Sequence, residues 1–451
     1  MATFAEGRPS KVAGTTAWYR ELTRYQWLVF IVASLGWMFD TMDQQLFNLA
    51  RQPAIVDLMK VLPGDPSGAA HVAEYSGFVT MIFMIGWAAG GVFFGILGDR
   101  IGRARTMIFT ILLYAGFTGL SVFSTNVWDF SFYRFLTGLG VGGQFSVGVA
   151  IVAETVSDYA RPYALGWLQA LSTVGNMLAA LVGILLAKFQ QSGMMSITWR
   201  VMFVVGALPA FLCIPIFQKL REPEAWHLAK AEHQSKHLGS MKELFAEPRW
   251  RRNAVVGMLL AFAGVVGLWG IGFFSFDLLR SVLDKTSMSA GQKTLWVSIT
   301  SLLQNAGAFL GVYTFAHLTS VVGRKIAFAI SFIFAMSSTA FTFWNLRTFM
   351  DIFWMIPLMG FSQLALFGGY AIYLPELFPT RLRSTGTSFC YNMGRFVAAV
   401  GPLTLGILTS RVYADKPEPM RYAGVTMCLV FLVGLATLPF APETRGKPLP
   451  E

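Results

Sequence analysis

Gly95-Ile-Leu-Gly-Asp99-Arg100-Ile-Gly102-Arg103-Ala-Arg105 is a short polar turn set between two long apolar runs. It has an echo. Ala316-His317-Leu-Thr-Ser320-Val-Val-Gly323-Arg324-Lys325 also closes one apolar run and opens another, its Gly-Arg pair 221 residues further along the chain. Two more pairs keep that step: Glu154 and Arg161 are matched by Glu376 and Arg383, and Glu222 by Glu443, at offsets of 221 or 222. One such coincidence would carry little weight. Three at one period indicate a chain built twice from a similar unit.

The runs around these turns are long enough, at roughly 20 residues, to cross a bilayer as helices. Twelve are expected, at about 27–49, 74–97, 104–124, 128–152, 160–187, 199–218, 253–280, 290–318, 325–345, 349–373, 384–410 and 420–441. The reading is an all-α integral membrane protein with twelve transmembrane helices in two six-helix bundles. A terminal segment, 1–26, precedes the first bundle, 27–218. A polar linker, 219–252, leads to the second bundle, 253–441, and a tail, 442–451, follows.

Composition agrees. The chain is 55% hydrophobic and 13% charged, with a mean hydropathy of +0.55, whereas soluble domains carry about 25% charge. The net charge of +11 raises the question of nucleic acid. Its distribution answers it: roughly two thirds of the 35 Lys and Arg fall on the side of the linker and both chain ends, as the positive-inside rule requires of cytoplasmic segments. Both termini are therefore expected in the cytoplasm of a cell (inner) membrane protein, with the bilayer as partner and no nucleic acid. Residues 1–25 lack the apolar stretch of a signal peptide. No GxxxxGK[ST], HExxH, GxSxG or CxxC pattern occurs, so neither enzyme chemistry, ATP drive, a metal nor a cofactor is expected.

The Gly95–Arg105 stretch resembles the signature loop of the major facilitator superfamily. The resemblance implies that Asp99, Arg100 and Arg103 tie helix ends together and gate closure. In the second copy Ser320 stands where the acid would be, which weakens it as a charged latch. Arg134-Phe-Leu-Thr-Gly138-Leu-Gly140-Val-Gly142-Gly143 looks like the fourth-helix motif of proton-coupled members. Related sequences often carry Glu where this chain has Gln144. Pro375-Glu376-Leu-Phe-Pro379-Thr-Arg381-Leu-Arg383 and Pro442-Glu443-Thr-Arg445-Gly446 resemble motifs of sugar and organic-ion porters. Trp37-Met-Phe-Asp40-Thr-Met-Asp43 resembles the first-helix motif of the metabolite:proton symporters, a branch with carriers of aromatic acids and sialic acid. Ser388-Phe-Cys-Tyr-Asn392-Met-Gly394-Arg395 resembles the eleventh helix of that branch and of organic anion carriers.

Ionisable groups at membrane depth are costly and mark function. Asp40 and Asp43 lie ~20 and ~24 Å from the linker side and Arg134 ~21 Å, at 1.5 Å per residue. The two acids share a helix face and are expected to meet Arg134, forming a proton-coupling trio. Arg395 lies near the midplane with no acid close by on its own helix, and a guanidinium there can grip a carboxylate by two parallel hydrogen bonds. The substrate pocket is expected to draw on Arg395 with Gln144, Gln169, Asn176, Trp269, Phe273, Gln304, Asn305, Phe367, Tyr370, Tyr373 and Asn392. Glu154, Arg161, Arg324, Glu376 and Arg383, at the linker rim, join Asp99, Arg100 and Arg103 as gating residues. The functional expectation is proton-coupled symport of a small carboxylate by a working monomer. Sugar or polyol symport is the alternative. Efflux and a non-transporting sensor are weaker readings.

Overall fold

The computed structural model describes residues 17–60, 66–191, 198–212, 219–232, 238–271, 275–283, 286–288, 290–398, 404 and 407–450. Each expected span falls on a helix or helix run, as far as these residues reach. The first bundle comprises α1 (Arg24–Met59), α2 (Pro66–Ile101), α3 (Arg103–Leu120), α4 (Val127–Thr155), α5 (Arg161–Gln191) and α6 (Thr198–Ala207). The connection holds two short helices, α7 (Glu224–Glu232) and α8 (Met241–Ala246). The second bundle comprises α9 (Pro248–Val265), which passes through a π turn (Val266–Ile271) towards α10 (Ser275–Leu283), then α11 (Ala290–Val322), α12 (Arg324–Asn345), α13 (Ile352–Glu376), α14 (Arg383–Ala398), α15 (Pro419–Met427) and α16 (Val430–Thr437). Among the described residues, eight helices or helix runs are long and apolar enough to cross a membrane. The 36-residue α1 is polar in its middle, with Asp40, Asp43, Gln44 and Gln45.

Local sequence explains where the helices begin. Thr23 and Gln26 form a reciprocal capping box at the start of α1, and Asn126 and Asp129 do so at α4. The turns into α3 and α12 pivot on Gly102 (φ 112°) and Gly323 (φ 90°), a backbone region that only glycine enters without strain. Each turn is completed by a distant carboxylate. Glu222 accepts from the amides of Arg103 (2.6 Å), Ala104 (3.1 Å) and Arg105 (3.1 Å). Glu443 accepts from those of Arg324 (3.0 Å) and Lys325 (3.1 Å). Burial alone would raise the proton affinity of Glu443, but the amides of Arg324, Arg445 and Lys325 hold its carboxyl below the ordinary value. Both acids therefore serve as helix N-caps, stabilised by the positive end of the helix dipole.

In lipid no hydrophobic force drives helices together, so close contact of backbones must do it. The two bundles use the same device. Gly86, Gly90 and Gly138 bring α2 against α4. Gly307, Gly311 and Gly360, 221 or 222 residues later, bring α11 against α13. A Cβ at Gly90 would fall 2.0 Å from Leu139 O, and one at Gly311 2.0 Å from Phe361 O. A second repeat pair lies at the opposite end. Arg200 donates to Val122 O and Ser124 O, and Arg421 to Phe343 O, Trp344 O and Leu346 O. Arg200 satisfies carbonyls just past the end of α3, and Arg421 those at the end of α12. Neither the glycine pairs nor the arginine pair figures in the repeat read from the sequence.

The bundles meet along two seams. In one, α5 packs on α11: Trp167 lies edge-on to Phe309 (5.6 Å) and Tyr313 (5.7 Å), and Asn176 Nδ2 donates to Asn305 Oδ1 (3.1 Å). In the other, α2 packs on α14, and the residues of interest lie along it.

Candidate functional site

Two constellations stand out, one at the linker end and one in the middle of the bundle.

At the linker end, Asp99 reaches from the last turn of α2 to the first turn of α14. Its carboxylate accepts from Ser384 N (3.1 Å), Thr385 N (2.8 Å) and Thr385 Oγ1 (2.6 Å), while Arg103 pairs with it at 3.0 Å. Asp99 is thus an N-cap supplied to one bundle by the other. Arg103 also grips Glu154 (3.0 Å) and Thr380 O (2.6 Å). Glu154 in turn receives Arg383 Nη1 at 2.7 Å. The group Asp99–Arg103–Glu154–Arg383 therefore crosses the bundle interface at three places, from Asp99 to Ser384 and Thr385, from Arg103 to Thr380 and from Glu154 to Arg383, and all four residues are buried or nearly so. The linker lies over this knot. Trp226 Nε1 donates to Asp99 O (2.7 Å), Gly239 N to Arg381 O (2.9 Å), and Arg100 Nε to Leu238 O (3.3 Å). Arg381 pairs with Glu243 at 2.7 Å.

The charged contacts of the second copy of the loop stay, among the described residues, within its own bundle. Arg324 makes a two-point bond to Glu376 (3.1 and 2.8 Å). Arg161 donates to Ala153 O (3.0 Å) and to Asp158, and Arg383 repeats the first of these bonds at Pro375 O (3.2 Å). Ser320, in the place of Asp99, receives only the Tyr163 hydroxyl across the interface (2.9 Å). Among the described residues the charged contacts of this loop across the interface come from the first copy, and the second has Ser320 where the acid stands.

In the middle of the bundle, Asp40, Asp43 and Arg134 have no exposed surface and Arg395 has 2%. Arg134 lies 4.0 Å from Asp43, donates to Ser121 Oγ (2.7 Å), and sits over the Phe203, Phe47 and Phe130 rings at 4.6, 5.6 and 5.8 Å. Asp43 faces α6, where a Cβ at Gly206 would fall 2.8 Å from its Oδ1. This pair is enclosed within the first bundle. Asp40, one turn away, is not part of it. It lies within electrostatic reach of Asp43 and, across the interface, of Arg395. Neither aspartate accepts a hydrogen bond in good geometry from the described residues.

The Arg395 guanidinium lies over two rings, Trp87 of α2 at 4.0 Å and Tyr391 of α14 at 4.2 Å. Its Nη1 donates to Asn392 Oδ1 (2.8 Å) and Tyr391 O (3.4 Å), while Nε has no partner among the described residues. Among the described residues no carboxylate lies within 4.0 Å of it. The rings extend the enclosure: Phe145 stacks on Tyr391 (3.9 Å), Trp37 meets Phe145 (5.0 Å), and Trp269, on the π turn after α9, meets Trp87 edge-on (5.7 Å). Gln169 takes the Trp37 indole N–H (3.1 Å). Phe367 lies edge-on to Tyr391 (6.2 Å).

The remaining expected pocket residues scatter. Gln144 accepts from Thr110 Oγ1 (2.7 Å) inside the first bundle. Asn176 and Asn305 meet each other on the α5–α11 seam. Gln304 lies beside Gly360 in the contact of α11 with α13. The hydroxyls of Tyr370 and Tyr373 are committed to Leu260 O (2.7 Å) and Pro442 O (2.8 Å). Phe273 lies outside the described residues. Trp87, Trp37, Phe145 and Tyr391 were absent from the sequence-based set. Their signal was weak, since an aromatic on an apolar helix reads as ordinary lipid or core surface.

A sequence model described as Major Facilitator Superfamily matches residues 28–292. The niacin transporter of Acinetobacter baylyi is 27% identical, over 94% of this chain and 96% of its own. The cis,cis-muconate transport protein of the same organism is 28% identical, over 74% and 78%. The proton:xylose symporter structure bound to 6-bromo-6-deoxy-D-glucose superposes with a TM-score of 0.74 at 16% identity, over 94% and 98%, a likeness of fold alone.

Proposed function

The chain belongs to the Major Facilitator Superfamily and is a multi-pass membrane transporter; on that premise we propose that it moves a small organic carboxylate together with protons. The observation that carries the reading is Arg395. A buried guanidinium with no carboxylate within 4.0 Å among the described residues is costly in a membrane interior. Its Nη1 side is occupied by Asn392 and Tyr391 O, and it lies over the Trp87 and Tyr391 rings. The Nε edge is left for a ligand, and an anion with two coplanar oxygens fits that edge best. The carboxylate or carboxylate-derived substrates named for similar carriers, niacin and muconate, support this choice. The sugar reading loses part of its support, because Glu443 of the Pro-Glu-Thr-Arg-Gly motif serves as the α12 cap.

Asp40 and Asp43 supply proton sites. Asp40 competes with the substrate for Arg395, so a proton on Asp40 frees the guanidinium for the incoming anion. Asp43 and Arg134 form a second ion pair, within the first bundle, that responds to the same proton supply. With the linker and both chain ends in the cytoplasm, as the charge distribution indicates, the Asp99–Arg383 knot closes the cytoplasmic side. Release then requires that knot to open.

The test is internal pH in proteoliposomes while nicotinate, benzoate, muconate or xylose is added outside. Acidification with one carboxylate, lost in Asp43→Asn while counterflow exchange persists, is the expected result. Acidification with xylose alone would replace this reading by sugar symport.

A further inference from the structure

Away from the linker end, α1 and α2 run antiparallel and share a stripe. On α1 it holds Asp40, Gln44, Phe47 and Arg51; on α2 it holds Ser76, Thr80, Phe83, Trp87 and Gly91. The three- and four-residue steps keep each set on one helix face. Two contacts set the register: the Phe47 and Phe83 rings lie 5.2 Å apart, and Arg51 Nη1 donates to Thr80 Oγ1 at 2.5 Å. The same register puts Gln44 level with Trp87, the ring that covers Arg395. It puts Asp40 level with Gly91, where a Cβ would fall 2.2 Å from Asn392 Nδ2. Arg51 lies seven residues beyond Gln44, ~10 Å further from the linker end.

Polar groups alternate with rings along the stripe. Ser76 Oγ, Gln44 Nε2, Trp87 Nε1 and Arg51 Nε are buried and have no hydrogen-bond partner among the described residues. Polar atoms in that position need water or a ligand. Among the described residues Arg51 donates to the neutral Thr80 hydroxyl, and no carboxylate lies within 4.0 Å of it. A cation so placed attracts anions into the seam.

We propose that Arg51, with the Thr80 and Ser76 hydroxyls, is a second anion site, a capture station for the carboxylate at the mouth opposite the linker, one step before Arg395. This rests on the reading of Arg395 as the central anion site. A charge at the mouth chiefly speeds arrival of anions from that side. It does not take part in the central grip.

Asn48 is partly exposed and lies about one turn deeper on α1 than Arg51. In the purified carrier, Asn48→Cys is treated with the anionic 2-sulfonatoethyl and the cationic 2-(trimethylammonium)ethyl methanethiosulfonates. The background is the chain with Cys213, which lies outside the described residues, replaced by Ser, and with Cys390 and Cys428, both buried, kept. The rate ratio of anionic to cationic reagent is expected to fall about tenfold with Arg51→Gln, as one nearby charge requires, and to persist with Arg51→Lys and with Thr80→Val. An unchanged ratio in Arg51→Gln, or an introduced thiol that reacts with neither reagent, overturns the capture site. Loss of the ratio in Thr80→Val would make Arg51 a structural staple instead. The thiol rates involve no transported substrate, so failure of the central reading shows separately, in the proton-uptake assay.

Discussion

Replacing Asp99 by Asn tests how the linker end is held shut. The carboxylate accepts three hydrogen bonds from the first turn of α14, at 3.1, 2.8 and 2.6 Å, and pairs with Arg103 at 3.0 Å. Asparagine keeps one acceptor oxygen and puts a donor where the other stood, facing the Thr385 amide and hydroxyl. Hydrogen bonds to a charged group contribute about 1.5–3 kcal/mol each. Allowing for relaxation and for the Arg103–Glu154 bond that survives, the closed state loses about 2–4 kcal/mol. The loss of the bonds to Ser384 and Thr385 falls on the closed conformation, because those contacts join the two bundles, whereas the Arg103 pair lies within the first bundle. At about 1.4 kcal/mol per tenfold, the closed-to-open ratio drops by between one and three powers of ten. Spin labels at Arg105 and Ile326, exposed near the starts of α3 and α12, report the separation by pulsed electron resonance. The expected result is a new, longer distance population in Asp99→Asn. Ser320→Ala removes one neutral contact across the interface, from Tyr163, and one to His317 O within its own helix, and should shift the distribution little, by about 1 kcal/mol or less. Identical distributions for Asp99→Asn and the unsubstituted chain, or equal shifts for both variants, would refute the one-sided latch.

Other consequences are simpler. Arg395→Lys keeps the charge but loses the planar fork, so the KM for the carboxylate should rise at least tenfold; unchanged uptake kinetics would remove Arg395 from the anion site. Gly142→Ala places a Cβ 2.0 Å from Trp87 O and should destabilise the carrier by about 1–3 kcal/mol, seen as a lower thermal midpoint in detergent. Arg421→Gln abandons carbonyls of Phe343, Trp344 and Leu346 and should cost about 1–3 kcal/mol, again read by thermal melting, with substrate affinity kept. The Glu443 cap, held below its ordinary value, stabilises the folded state at neutral pH and is lost as pH falls through that lowered value, so Glu443→Gln should remove a stability increment present at neutral pH and absent in strong acid.

The arrangement of helices was legible from one dimension. Apolar run length marks spans because lipid cannot satisfy an exposed backbone, and the turn at Gly95–Arg105 with its echo 221 residues on marked the duplication. The acids and arginines at membrane depth were legible too, since charge there is rare enough to read singly. Their partners were not. Depth alone put Asp40, Asp43 and Arg134 at one level, but only the folded chain shows that Arg134 takes Asp43 and that Asp40 stands apart from that pair. Helical phase and inter-bundle register decide that, and neither is written in a single helix. The same holds for Asp99, whose partners lie nearly three hundred residues away on α14, and for Trp87 and Tyr391, which the sequence presents as two aromatics among many. Tyr370 and Tyr373 show the converse: polar aromatics at plausible depth, yet their hydroxyls are engaged by backbone carbonyls of neighbouring helices. Sequence determined what crosses the membrane and how often it repeats, because those follow from local polarity. Tertiary structure decided which buried groups face one another, because a few ångströms of helix rotation separate an ion pair from a binding site.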